Sequence, residues 1–224
     1  MESMYSIVRF FVTGGAFMYP ILIVFAVGTA IAIERYVTLT RATLVNRSVW
    51  RELQPVLAEG DFDKAREIAG RGDSAMSQLL GMGLARQGAV RRREDIEIAM
   101  DESMIELTPQ LEKRTHYLAT FANLATLLGL LGTVSGLIHA FAAVSTVNPA
   151  DKANLLSASI SEAMNCTAFG LMTAVPIVFA HAFLQTKTSE LIASLEMAFV
   201  KFLNLLTERQ AAHSRRALVP STQE

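Results

Sequence analysis

The chain has 224 residues, of which 51% are hydrophobic, and a net charge of −1. With a mean hydropathy of +0.34 it is too apolar for an ordinary soluble domain, and the near-zero charge gives no electrostatic case for nucleic acid. The single cysteine, Cys166, excludes an internal disulfide and a cysteine-rich metal centre. The four histidines (His116, His139, His181, His213) are scattered without ligand spacing, and no phosphate-binding glycine motif occurs, so no metal and no cofactor is expected.

A bilayer core about 30 Å thick needs about 20 apolar helical residues, and three stretches qualify. The first, Phe10 to Ile33, is free of charge between Arg9 and Glu34. Ala30-Ile31-Ala32 imitates a signal-peptide cleavage box, but the apolar run is longer than the roughly 7–15 residues of a signal h-region, which favours a span.

The segment 38–117 reads as a helical region outside the membrane. Asp61 is placed to N-cap a short helix, Phe62 to Ala69, ending near Gly70 and Gly72. Ser74 to Arg86 forms a second amphipathic piece. From about Arg92 a long pattern begins, with Met100, Met104, Leu107, Leu111 and Leu118 at helical steps, running into the second span with only Pro109 as an interruption.

The second span is Leu118 to about Ser145 and the third about Leu155 to Gln185, joined by a polar turn over Thr146 to Asn154 that contains Asn148-Pro149 and Asp151. The third continues as Leu191, Leu195, Phe199, Phe202 and Leu206, one apolar helix face. After Arg209 periodicity ends, and Ala211 to Glu224 is expected to be disordered. Lys and Arg number thirteen in 34–118 and five in 187–224, against one in 1–9 and one, Lys152, in the turn. The positive-inside rule then puts the N-terminus and the turn outside and the rest of the extramembrane chain in the cytoplasm. The expected fold is all-α: an integral membrane protein with three transmembrane helices, two of them extended far into the cytoplasm. Its parts are 1–37 (outward N-terminus and first span), 38–117 (cytoplasmic helices), 118–186 (second and third spans) and 187–224 (amphipathic helix and tail).

Glu162 is the only charged residue from Ala153 to Thr186. A carboxylate in a span costs about 2.5–3.5 kcal/mol at the centre on insertion scales, so it lines a water path or meets a partner, which points to proton or ion handling. Its depth depends on where the helix starts: near Asn154 it lies about 12 Å inside, near Ile160 it is interfacial. In two antiparallel helices joined by a symmetric turn, Thr133 shares its depth with Thr167, and His139 with Glu162. The threonines have two readings: back-bonding to a carbonyl one turn earlier, or a polar ring around a pore in a symmetric oligomer. For His139 the readings are helix packing or a pair with Glu162; His181 defaults to packing. Gly129, Gly132 and Gly136 share adjacent helix faces, and Ala163, Thr167, Gly170 and Ala174 make a matching stripe, small residues that let helices approach in lipid. Pro176 is placed to kink the third span. Such packing suits a multimer better than a lone three-helix bundle.

Leu118-Ala-Thr-Phe-Ala-Asn-Leu-Ala-Thr-Leu-Leu-Gly-Leu-Leu-Gly-Thr-Val-Ser-Gly-Leu-Ile-His-Ala-Phe141 resembles the second-span signature of the MotA/TolQ/ExbB proton-channel family. Ser161-Glu-Ala-Met-Asn-Cys-Thr-Ala-Phe-Gly-Leu-Met-Thr-Ala-Val-Pro176 resembles its third, and Met18-Tyr-Pro-Ile-Leu with Ile33-Glu-Arg35 its first. Length and three spans favour the ExbB/TolQ branch over the flagellar stator branch. The resemblance implies a homopentamer in the bacterial inner membrane around a pore that holds two single-span partners of the ExbD/TolR type, each with a membrane aspartate. Proton flow through that assembly would energise, through a TonB- or TolA-like protein, outer-membrane uptake or Tol-Pal envelope work. It implies that Glu162 is the pore glutamate and Thr133 and Thr167 the pore threonines. The family often has proline where Thr126 stands and a bulky residue where Ser135 stands, so Thr126 is a candidate extra polar group in the pore. Two other classes compete. Ser135-Gly136 with His181 faintly resembles an intramembrane serine protease, but Thr133 stands where that motif has glycine and three spans are too few to enclose the site. A purely structural scaffold is the third reading. No enzyme activity is expected.

Overall fold

The computed structural model describes residues 14–87 and 93–218, with side chains to residue 209. The described residues form six helices and no strand: α1 (Met18–Glu59), α2 (Phe62–Gly70), α3 (Ala75–Gln87), α4 (Arg93–Glu112), α5 (Thr115–Val144) and α6 (Lys152–Leu218). The start of the first apolar stretch, 10–13, lies outside the described residues. Three helical stretches, in α1, in α4–α5 and in α6, are long and apolar enough to cross a membrane. The chain divides into two compact units. One holds residues up to Tyr36 and Arg114–Gln185; the other holds Val37–Lys113 and Thr186 onward.

In the spanning unit, α1 begins where Met18 N–H bonds Gly15 O, and Gly15 has φ +78°, a conformation that favours glycine. Met18, Ile21, Val24 and Gly28 recur at helical steps on its buried face. A Cβ on Gly28 would reach Ile177 Cδ1 at 2.8 Å, so the missing side chain seats Ile177 of α6. The turn between α5 and α6 is closed by Asp151 N–H to Asn148 O at 3.0 Å. The buried face of α5 carries Ala122, Ala125, Gly129, Gly132 and Ala140, that of α6 Ala163, Cys166, Gly170 and Ala174. Outside these faces both helices expose large apolar side chains such as Leu127, Ile138, Val175 and Phe179. That pattern fits a surface bathed in lipid or covered by other apolar helices.

The second unit has a core of large side chains: Leu53 and Leu57 of α1, Leu79, Leu80 and Leu84 of α3, Met100 of α4 and Phe202 of α6 are all fully buried. Asp61 caps α2 as expected, its Oδ1 accepting from Lys64 N–H at 3.1 Å. The C-terminus of α1 is closed by Gly60, φ +78°: Asp61 N–H and Gly60 N–H both reach Val56 O, and the Arg209 guanidinium donates to Ala58 O at 2.7 Å. Ser74 Oγ accepts from Ser77 N–H and buried Asn46 Oδ1 from Met76 N–H, which satisfies two first-turn donors of α3.

Two expectations need correction. The helix leading into the second span is broken, and the break is not at Pro109, which sits inside α4. The break lies at Lys113–Arg114, where Arg114 takes φ +65° before α5 begins. Its guanidinium reaches Glu34 at 3.4 Å, an ion pair across the end of the spanning unit that helps hold a left-handed arginine no sequence motif announces. Pro109 is exposed and α4 continues through it to Glu112. The second correction is at the C-terminus: α6 continues to Leu218, past the point where a disordered tail was expected. Ala211, Ala212, Arg215, Arg216 and Ala217 are strong helix formers, and a helix needs no apolar stripe to persist at the end of a long one.

Candidate functional site: a threonine pair at a glycine crossing

The site begins with two glycines. A Cβ on Gly170 would lie 2.8 Å from Ala125 O and 3.0 Å from Gly129 Cα; one on Gly129 would lie 3.2 Å from Gly170 Cα and 3.3 Å from Thr167 Cα. The backbones of α5 and α6 therefore touch directly here, as small residues permit. On either side the register repeats: Gly132 faces Cys166, whose Sγ a Cβ would strike, and Gly136 faces Ala163, whose Cβ it would meet at 3.0 Å. The expected antiparallel depth pairing is thus the observed packing.

This closeness brings the threonines together. Thr167 Oγ donates to Gly129 O across the helix pair at 2.8 Å, and Thr133 Oγ donates to Leu130 O on its own helix at 2.6 Å. The two hydroxyl oxygens are 3.4 Å apart, at the long limit for a hydrogen bond. Each hydroxyl has one proton, and each proton already has a carbonyl, so both oxygens keep lone pairs to offer. The back-bonding reading holds for Thr133. It fails for Thr167, whose acceptor belongs to the other helix because Gly129 leaves its carbonyl uncovered. Both threonines are half-buried, so the pair is reachable from one side.

Glu162 stands apart from this pair. It lies ten residues inside α6, which starts at Lys152, so it is not at the helix end. Five residues from Thr167, it is displaced by about 7.5 Å along the axis and about 140° around it. Its side chain is exposed and its carboxylate lies over Gly15, where a Cβ would collide with it. Gly15 is the residue that sequence reasoning missed; only the Gly14-Gly15 pair inside the first apolar stretch could have drawn attention to it. Among the described residues no hydrogen bond or ion pair joins His139, which is exposed, to Glu162. Thr126, exposed on α5, donates its Oγ proton to Ala122 O of its own helix at 3.1 Å and, like Thr133, keeps lone pairs to offer. Ser135 and His181 are half-buried on different helices with no hydrogen bond between them. Pro176 lies inside α6 and, with Phe25, Thr29 and Tyr36, lines an apolar groove of about 350 Å³. Among the described residues no cluster of His, Cys, Asp or Glu could hold a metal ion.

Known proteins match this chain in sequence. A family model described as the MotA/TolQ/ExbB proton channel family matches residues 71–197, which include the threonine pair, the four glycines and Glu162. The Tol-Pal system protein TolQ of Haemophilus influenzae is 34% identical over 109 residues, 49% of this chain and 46% of that protein. The biopolymer transport protein ExbB of Neisseria gonorrhoeae is 28% identical over 204 residues, 85% of this chain and 90% of that protein. The Pseudomonas aeruginosa TolQ is 29% identical over 153 residues, 64% of this chain and 63% of that protein. The matched stretch thus spans about half to two thirds of the two TolQ proteins and most of the ExbB. This is a channel family and not a known enzyme family, and with three apolar helices it makes the chain a multi-pass bacterial membrane protein. The chain belongs to the MotA/TolQ/ExbB proton channel family, in its ExbB/TolQ branch.

Proposed function

We propose that the chain is the proton-channel subunit of an inner-membrane motor that uses the proton motive force to energise TonB-dependent outer-membrane transport or Tol-Pal envelope function. In this reading several copies, five in a ring, surround two single-span partner helices of the ExbD/TolR type, with the N-terminus periplasmic and the C-terminus cytoplasmic. A TonB- or TolA-like protein takes up the motion. The observation that carries the reading is the Thr133–Thr167 pair at the Gly129–Gly170 crossing, two hydroxyls from different helices meeting where the backbones touch.

The pair suits proton transfer because a hydroxyl both donates and accepts. As placed, either oxygen can accept the single O–H of a protonated carboxyl on a partner helix. When that carboxyl loses its proton, the hydroxyls rotate to donate to the carboxylate, while the Gly129 and Leu130 carbonyls keep their helical bonds. The partner acid is then charged only beside the threonines and neutral along the apolar wall, where charge is costly. Each elementary charge moved through 100 mV releases about 2.3 kcal/mol, several times RT. Repeated around a ring, this step advances the partner from one subunit to the next. Glu162, exposed toward the turn between α5 and α6, holds protons or positions the partner at the entrance.

The test is proton flux into vesicles containing the chain co-purified with a single-span, aspartate-bearing partner. Thr167→Val keeps the shape and removes the hydroxyl; Glu162→Gln removes the charge. Each is expected to lower partner-dependent flux about tenfold or more, the effect of about 1.4 kcal/mol on a barrier. Flux that needs no partner rejects the partner-driven motor, and flux that both variants leave unchanged takes the threonine and the glutamate out of the proton path.

A further inference from the structure

The second unit carries two exposed helix faces of opposite charge that no ion pair among the described residues joins. On α4 the sequence Arg93–Glu112 contains seven acids and one base. Its outward face presents Asp101, Glu102, Glu106 and Glu112, and between them two isoleucines, Ile98 (57% exposed) and Ile105 (74% exposed). The two isoleucines are seven residues apart and share one face, which makes it apolar between the charges. On α1 the outward face presents Arg41, Arg47 and Arg51, with Leu44 (64% exposed) between them. Among the described residues no ion pair joins these arginines to these acids or to any other group.

The two faces also match in register. α1 enters this unit after Tyr36, and α4 ends at Glu112 just before the chain leaves it at Arg114, so the two helices run in opposite directions. A cavity of about 460 Å³ has Arg41, Ala42, Val45 and Asn46 in one wall and Leu107, Gln110 and Leu111 in the other, which fixes their relative height. Arg41 is then level with Glu112, Arg47 with Glu106, and Arg51 with Asp101 and Glu102. Copies of a membrane protein inserted in one bilayer with one orientation are related by rotation about the membrane normal, so every residue keeps its height from copy to copy. The acids of one copy therefore meet the arginines of the next without any slide.

We propose that the acidic, isoleucine-bearing face of α4 docks on the basic, leucine-bearing face of α1 in a neighbouring copy of this chain. The proposal rests on the self-association in the function proposed above and names the surface that directs it. Because the two faces differ, each copy offers both halves of the contact, and addition continues until a ring closes. Leu44 and Ile105, about one helical turn apart in height, supply apolar burial between the charges, and the flanking charges set register and reject a copy inserted at the wrong height. A membrane surface is the poorer occupant for the arginines. Arg51 lies fifteen residues beyond Tyr36, about 22 Å along the helix, well past the screening length of about 8 Å at physiological salt.

The test uses two full-length chains with different tags, co-expressed in membranes, one carrying Arg51→Cys and the other Asp101→Cys. Both positions are exposed, and native Cys166 is buried and serves as an internal control. Mild oxidation is expected to give a dimer bearing both tags, and neither variant alone to give one. In parallel, Arg47→Glu with Arg51→Glu is expected to weaken association about tenfold, as is Asp101→Lys with Glu102→Lys, and all four together to restore it. Native mass spectrometry of the unsubstituted chain separates the failures. A multimer without cross-tag dimers overturns the assigned faces and leaves self-association standing; a monomer overturns both. Arginine reversal that lowers binding to anionic vesicles but leaves association unchanged gives the face to lipid and overturns the proposal. A disulfide from Asp101→Cys to a different polypeptide overturns it as well.

Discussion

Gly170 and Gly83 are both buried helical glycines, yet they solve opposite problems. Gly170 in the spanning unit has backbone next to it: its absent Cβ would meet Ala125 O at 2.8 Å and Gly129 Cα at 3.0 Å. Gly83 in the second unit has side chains next to it, Met100 Sδ at 2.6 Å and Phe202 Cε1 at 2.7 Å. The difference extends to the whole of each unit. Among lipid tails, burying a leucine gains nothing over leaving it outside, so helices associate by bringing backbones close over Gly, Ala, Cys and Thr. In water, burial of large apolar side chains drives the packing, and Leu, Met and Phe fill the core. The consequence for function is direct. Only the first kind of packing exposes a carbonyl such as Gly129 O to a hydroxyl on the neighbouring helix, and only there does the threonine pair form.

The largest effect is expected where the second unit depends on bulk. Phe202→Ala empties a fully buried ring site and should cost about 3–5 kcal/mol. A fall in denaturant midpoint followed by helix content would measure it; a variant as stable as the parent would mean the core does not rest on large side chains. Gly170→Ala comes next, at about 1–3 kcal/mol, because backbone atoms must move to admit one methyl. It should also lower proton flux, since it parts α5 from α6 at the threonines, while Gly83→Ala should leave flux unchanged because Met100 and Phe202 can turn away. Equal loss of flux from both variants would break the contrast. Asp61→Ala should cost about 1 kcal/mol by removing the cap on α2, with no effect on flux. Smallest and of opposite sign is Gly81→Ala. Its new Cβ would meet Ala69 Cβ at 3.8 Å, an ordinary contact, so the interior of α3 should gain up to about 1 kcal/mol from helix propensity. A lowered midpoint would show that α3 packs more tightly against α2 than described.

Much of this was legible in the sequence because the relevant patterns are local or periodic. Apolar length located the helices able to span a membrane, and Asp61 announced a cap. The antiparallel numbering placed Thr133 opposite Thr167 because two regular helices and a short turn leave little freedom. The acceptor of the Thr167 hydroxyl was not legible, since it depends on how nearly two backbones touch. The break at Arg114 was hidden for a similar reason. Neither Lys113 nor Arg114 is a residue that turns the chain on its own, and the Glu34 carboxylate that meets Arg114 lies eighty positions earlier. Pro109 drew attention as a breaker and proved harmless on a solvent-facing side. Gly15 beneath Glu162 likewise joins two segments far apart in the chain.

The central claim is that this chain builds a pore around a partner helix. Native mass spectrometry of the detergent-purified chain, co-expressed with a single-span, aspartate-bearing neighbour, tests it most directly. Five copies retaining two of the partner are predicted. A monomer or dimer that retains no partner would contradict the account and return Thr133, Thr167 and Glu162 to ordinary helix packing.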